Sequence, residues 1–217
     1  MAAIPLNPPV FDNRTDAGRR LADVMGRFAG DSAVVLGLPR GGVPVARQVA
    51  DVIGAPLDVL AVRKLGSPRH PEFAVGAIGE GGERLVDDEA MRLTRLDAVE
   101  LEVVEKGARR ELARRLALYR GGRPALDLTG KRAVIVDDGA ATGASAIVAC
   151  RIARRLGASE VVLAVPVAPL GWERNLAAEA DHLVALATPR DFWAVGRWYA
   201  EFEQTTDDEV IAALRGG

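Results

Sequence analysis

Five short apolar runs mark the chain, separated by stretches in which apolar residues recur every three or four positions. The runs cover 33–37, 57–62, 133–136, 160–165 and 183–187, each rich in aliphatic residues and bounded by Gly, Pro or charge. That pattern predicts buried strands. Between them, Leu21, Val24, Met25 and Phe28 repeat at helical spacing over 14–29, with Gly30 as the stop. Val45, Val49 and Val52 share one face of a helix over 43–54, ended by Gly54 and Pro56. A further helix is predicted over 143–156, stopped by Gly157, and a short one over 171–179. Strands alternating with helices favour parallel pairing. The expected fold is α/β: a doubly wound, mainly parallel five-stranded sheet with flanking helices.

The middle and the ends read differently. GSPRHPEF (66–73) combines glycine, two prolines and charges, and predicts a mobile loop. AVGAIGEGGERLVDD (74–88) alternates around Gly81-Gly82, a two-residue hairpin signal. A long helix is predicted over 93–119, where Glu102/Lys106, Glu105/Arg109 and Glu111/Arg115 stand four apart with the acid first, the arrangement of a solvated helix face. TDDE (206–209) has the form of a capping box ahead of VIAAL. Residues 1–12 hold three prolines and read as an irregular arm.

Charge and composition narrow the function classes. The net charge of −2 gives no global field for nucleic acid or a membrane surface, so any anion must be held by a local site. No apolar run approaches the ~18 residues of a bilayer span. The first residues lack the basic and long apolar regions of a secretory signal, which makes the cytoplasm the expected location. The single cysteine, Cys150, lies on an apolar helical stretch and is expected to be a buried thiol.

In doubly wound sheets, ligands bind beyond the carboxyl ends of the strands. The loop after 133–136 is the most informative. In VIVDDGAATGASA (134–146) an apolar run ends in Asp137 and Asp138, and small residues then lead into a helix. Small residues let successive backbone N–H groups converge on a phosphate, and the helix N-terminus adds partial positive charge. The two carboxylates suit the other end of a sugar phosphate, accepting from vicinal hydroxyls or lying near Mg²⁺. A Walker A loop needs lysine where Ala144 stands, and a G-x-G-x-x-G fingerprint is absent. A phospho-receiver domain carries paired aspartates near its own N-terminus, whereas these fall past the middle of the chain.

The stretch VIVDDGAATGAS resembles the phosphoribosyl-pyrophosphate (PRPP) signature of type I phosphoribosyltransferases. The resemblance implies that Asp137 and Asp138 bind the ribose hydroxyls and that Ala140, Ala141, Thr142, Gly143, Ala144 and Ser145 wrap the 5′-phosphate. GLPRGGVP (37–44) matches the family's pyrophosphate loop, which implies diphosphate contacts from Arg40, Gly41 and Gly42 and a cis peptide at Pro39–Arg40. Arg63 and Lys64 read alone as surface charges; beside two anion loops they read as further diphosphate contacts. Their RKLG context is similar to the entrance of the flexible loop in adenine phosphoribosyltransferases. His70 in that loop reads as solvent-facing, and Glu72 and Glu80 are candidate proton-handling groups. TPRDFWAVGRWY (188–199) is similar to the purine-type segment, so Phe192 or Trp193 either stacks on the base or merely packs the C-terminal cap. Ala141 stands where hypoxanthine–guanine enzymes have an aspartate facing the base, which leaves the acceptor open.

On this resemblance the chain is expected to be one domain over 1–217, with a core at about 31–190 and a small hood from about 1–30 and 191–217. The implied reaction is Mg²⁺-dependent displacement of pyrophosphate from PRPP by a nitrogenous base, with a purine-like acceptor favoured. The Mg²⁺ is expected to bind through PRPP, without a tight protein-only site. A homodimer is expected, with no nucleic-acid or membrane partner. The alternative is a non-catalytic PRPP- or nucleotide-binding regulatory protein.

Overall fold

A computed structural model describes residues 10–69 and 73–216. His70 and Glu72 lie outside the described residues. In chain order the elements are α1 (Arg14–Met25), β1 (Ala33–Gly37), α2 (Gly42–Ile53), β2 (Leu57–Val59), β3 (Val62–Gly66), β4 (Ala74–Gly79), β5 (Arg84–Val86), α3 (Asp88–Thr94), α4 (Ala98–Arg120), β6 (Arg132–Val136), α5 (Ala144–Arg155), β7 (Glu160–Val167), β8 (His182–Ala187) and α6 (Asp207–Arg215). The main sheet runs β2-β1-β6-β7-β8, and every neighbouring pair in it is parallel. The order reverses between β1 and β6, the switch point at which such sheets bind ligands. Gly37 at the end of β1 is in register with both Val59 of β2 and Val136 of β6. The loops after all three strands therefore emerge together.

The strands are buried on both faces. Val35, Val134 and Val162 pack toward α1 and α2, with Leu21, Met25, Val45 and Val49. Leu36, Ile135 and Leu163 face α5 instead, with Val148 and Ile152. Continuous apolar runs are what two covered faces require. Val24 and Val52, expected on the apolar faces of their helices, are 46% and 60% exposed. Cys150 is fully buried, and burial pushes its thiol up to about 12. Among the described residues no helix is long and apolar enough to cross a membrane.

Three expectations are corrected. The run 57–62 is not one strand. Leu60 still donates to Gly37 O (3.0 Å), but Ala61 O accepts from Glu80 (3.1 Å), and Val62 opens β3 in a separate antiparallel sheet, β3-β4-β5. The hairpin over 74–88 is thus two strands of a three-stranded flap, turning at Gly81 and Gly82 with φ of 71° and 87°. The helix over 93–119 is broken: Arg95 takes φ 53°, and Asp97 starts α4 through a reciprocal capping box with Glu100. The helix over 171–179 shrinks to a single 3₁₀ stretch, Trp172–Asn175. The capping box before α6 forms as expected, between Thr206 and Glu209.

The start of the described chain meets the segment that follows β8. Val10 and Phe11 both donate to Trp198 O (3.0 Å), and Ala200 donates back to Phe11 O (2.8 Å). Phe11, Tyr199, Phe192, Val195 and Phe202 form a small apolar cluster over the carboxyl ends of β7 and β8.

Candidate active site

Arg40 and Gly41 after β1, Arg63 and Lys64 on β3, and Asp137 and Asp138 after β6 line one open cleft of about 420 Å³. Ser145 at the start of α5 also reaches it. The volume is that of a small-molecule site. The glycines make the approach of the two loops possible. A side chain at Gly41 would overlap Asp138 Oδ2, and one at Gly42 would lie 2.7 Å from Val136 O and 2.8 Å from Asp137 Cα. Gly42 therefore backs the acid pair without itself lining the cleft. The Pro39–Arg40 peptide is cis, as the resemblance implies.

The two carboxylates differ. Asp138 N donates to Asp137 Oδ1 (2.9 Å). Enclosure by protein, and then the adjacent Asp138 charge, hold the Asp137 carboxyl well above the usual aspartate range. Burial also raises Asp138, opposed by Arg14, whose Nε donates to Asp138 Oδ2 (2.8 Å). Arg14 also donates to Glu203 O (2.7 Å) and stacks 3.9 Å from the Phe202 ring centre. Tyr199 completes the clamp by donating its hydroxyl to Asp138 O (2.5 Å).

The expected 5′-phosphate loop lies between β6 and α5. Among the described residues the amides of Ala141, Thr142, Gly143, Ala144 and Ser145 donate to no protein acceptor. Gly143 turns the chain at φ 78° just before the helix. Free amides leading into a helix N-terminus are what a phosphate needs. Ala140 is different: its amide donates to Val167 O (3.0 Å), so it has no N–H for a phosphate. Ala140 to Gly143 line an adjoining cavity of about 200 Å³ with Trp172 and Asn175, while Ser145 faces the main cleft.

Other expected residues are placed less favourably. Glu80 is not in a mobile loop. It is 8% exposed in the turn between β4 and β5, where both oxygens take Arg120 (2.9 and 3.1 Å). Burial raises its pKa, and Arg120 opposes that rise. Arg120 also pairs with Asp58 (3.2 Å) and donates to Val59 O (2.9 Å), so Glu80 belongs to a buried charge network. Phe192 packs half-buried in the Phe11–Tyr199 cluster, whereas Trp193 is 79% exposed; neither lines the main cleft.

The sequence reading missed three contributors. Arg14 and Tyr199 reach Asp138 across 124 and 61 residues, and no local pattern announces such contacts. Arg115 on α4 also lines the cleft. Its signal was present: it interrupts the otherwise apolar stripe Leu101, Ala108, Leu112 and Tyr119.

Residues 13–182 match the family model described as phosphoribosyl transferase domain. A protein of Mycobacterium tuberculosis (strain ATCC 25618 / H37Rv), provisionally named phosphoribosyl transferase Rv0571c, is 55% identical over 205 residues, which cover 94% of this chain and 46% of that protein. The chain thus spans about half the length of this curated relative. The crystal structure of TT1426 from Thermus thermophilus is 45% identical, with a TM-score of 0.76 and coverage of 94% of this chain and 97% of that one. With the parallel five-stranded sheet and its strand-end cleft, these matches establish that the chain belongs to the phosphoribosyl transferase domain family.

Proposed function

We propose that this chain transfers a 5-phosphoribosyl group from PRPP to a nitrogen nucleophile and releases pyrophosphate. The reading rests on the shared cleft in which the Asp137–Asp138 pair, the Arg40–Gly41 turn and Arg63–Lys64 meet at the switch point. In this reading Asp137 and Asp138 accept from the ribose hydroxyls. The amides of Ala141 to Ser145 and the Ser145 hydroxyl hold the 5′-phosphate. Arg40, Arg63 and Lys64 bind the diphosphate and neutralise the charge that grows as the C1′–O bond breaks and the C1′–N bond forms.

Among the described residues no group of three or more His, Cys, Asp or Glu gathers to hold a metal. The acid pair fits a divalent ion that takes its other ligands from the substrate, and bound Mg²⁺ would draw negative charge from the leaving diphosphate. The acceptor favoured is purine-like; neither Phe192 nor Trp193 is among the residues that line the cleft. Arg63 and Lys64 on β3 already line the cleft, where they are available to the diphosphate.

The test is pyrophosphate release from PRPP over a panel of purine and pyrimidine bases, with and without Mg²⁺. Release with a purine that stops on chelation supports the reading. Tight PRPP binding without release on any base supports a regulatory binding protein instead.

A further inference from the structure

Resting on the phosphoribosyl reading of the cleft, we propose that Arg115 is a phosphate ligand that takes the distal phosphate of the diphosphate and so selects diphosphorylated over monophosphorylated ribose.

The first observation is where the residue lies on its helix. Leu101, Ala108, Leu112 and Tyr119 form the buried face of α4. Arg115 stands three residues after Leu112 and four before Tyr119, on that same face. Its side chain is 28% exposed, against 54% for its neighbour Arg114. A half-buried guanidinium has less water for its N–H groups, so each gains from a protein or ligand acceptor.

The second observation is how it is held. Glu111 accepts from Arg115 Nε (2.8 Å), and also from Arg114 Nε (2.8 Å) and Nη2 (2.9 Å). These bonds hold the Glu111 carboxyl down at about 2, so it is a permanent anion at neutral pH. Arg115 is thus fixed along one edge. Among the described residues its two Nη groups donate to no protein acceptor. The helix itself is anchored one turn further on, where Arg120 binds Asp58, Val59 O and Glu80.

The third observation is what it faces. Arg63 and Arg115 line both the cleft and a narrow apolar hollow formed with Pro39, Leu112 and Tyr119. With Arg40 and Lys64 this makes four cations lining the cleft. On that side Asp207 meets Arg40 at 3.9 Å and accepts from the Tyr119 hydroxyl (2.6 Å). A guanidinium with two free parallel N–H groups matches two oxygens of a phosphate. Four cations fit two phosphates, more charge than a monophosphate held by the free amides of the Ala141–Ser145 loop would need. The long helix thereby gains a role in substrate choice.

The experiment is calorimetric titration of the whole chain with magnesium pyrophosphate, PRPP and ribose 5-phosphate, comparing wild type with Arg115→Met, Arg115→Lys and Arg110→Met. Arg110 is exposed on the same helix and controls for net charge. Arg115→Met is expected to weaken pyrophosphate and PRPP by about tenfold or more, the worth of a charged hydrogen-bonded pair, and to leave ribose 5-phosphate unchanged within about twofold. Arg115→Lys keeps the charge without the fork and should recover part of the loss. Arg110→Met should match wild type. Unchanged pyrophosphate binding in Arg115→Met overturns the proposal, as does an equal loss of ribose 5-phosphate, which would mark a merely structural role. A wild type that binds neither PRPP nor pyrophosphate overturns the reading of the cleft itself, and this assignment with it.

Discussion

Enclosure by protein disfavours the charged form of Asp137, and the Asp138 charge beside it adds to the effect. The folded-state pKa is therefore raised. Below the usual aspartate range both folded and unfolded chains carry the proton, and nothing is lost. Above it the unfolded chain ionises freely while the folded chain is penalised, so the penalty grows as pH rises through the folded pKa. Asp137→Asn removes the charge but keeps an oxygen for Asp138 N. It is expected to raise Tm at pH 8 by a few degrees (roughly 2–4 °C per kcal/mol for this chain length), and the gain should vanish toward pH 4. The same variant should lose PRPP affinity by about tenfold or more. Thermal melts across pH check the first outcome, and an Asn variant no more stable than wild type at pH 8 would refute it. Gly41→Ala acts at the same place by steric means. Its methyl overlaps Asp138 Oδ2, so PRPP binding should fall severely, with about 1–3 kcal/mol of stability lost in urea unfolding.

Among the elements, α4 joins both sheets and α6 through one long helix. Arg120 in its last turn is 11% exposed at the side chain and serves Asp58 at 8% and Glu80 at 9%. Arg120→Met leaves two enclosed carboxylates without their cation, a change worth about 3–5 kcal/mol in comparable buried pairs. Urea unfolding at pH 7.5 should show that loss, and it should shrink as pH falls and the orphaned acids take up protons. Retained stability at pH 7.5 would mean that the network contributes little. At this scale most segments with a local periodicity were legible, the helix over 171–179 excepted. The strand over 33–37 has its predicted limits, and those over 133–136 and 183–187 match to within one residue. The split of 57–62 was not legible, because it depends on Ala61 O meeting the amide of Glu80, a contact made only once the flap has folded. The break before α4 was written in the chain as Asp97 and Glu100, a local cap that outweighs the apolar repeat running through it. The acid pair and both glycine turns carried their chemistry in their composition. Arg14 and Tyr199 carried none, since an arginine after a helix cap and a tyrosine near a chain end say nothing about what lies across the fold.

Taken whole, the molecule brings residues from before β1 and from after β8 to the acid pair. Arg14 holds the carboxylate of Asp138 and Tyr199 holds its carbonyl, while Phe11 and Phe202 pack against the Tyr199 ring at 5.4 and 4.9 Å. Tyr199→Phe keeps that packing and deletes one hydrogen bond. A cost of about 1 kcal/mol, or roughly 2–4 °C in Tm, is expected, with Asp138 less firmly held. Differential scanning calorimetry checks this; an unchanged Tm would show that the Tyr199 hydroxyl does not brace the acid pair.

The contact between the Gly41 backbone and Asp138 has a consequence for how the cleft values an intact ligand over its pieces. On the proposed reading, the turn that would meet the diphosphate leans directly on the carboxylate that would meet the ribose, so the two recognition events would share a single wall. A ligand carrying both halves on one frame arrives with its second half already at high effective concentration, whereas the separated halves each bear their own cost of being localised. Cleavage of the bond between them would thus by itself loosen the grip, and departure of the fragments would follow without any part of the wall having to move.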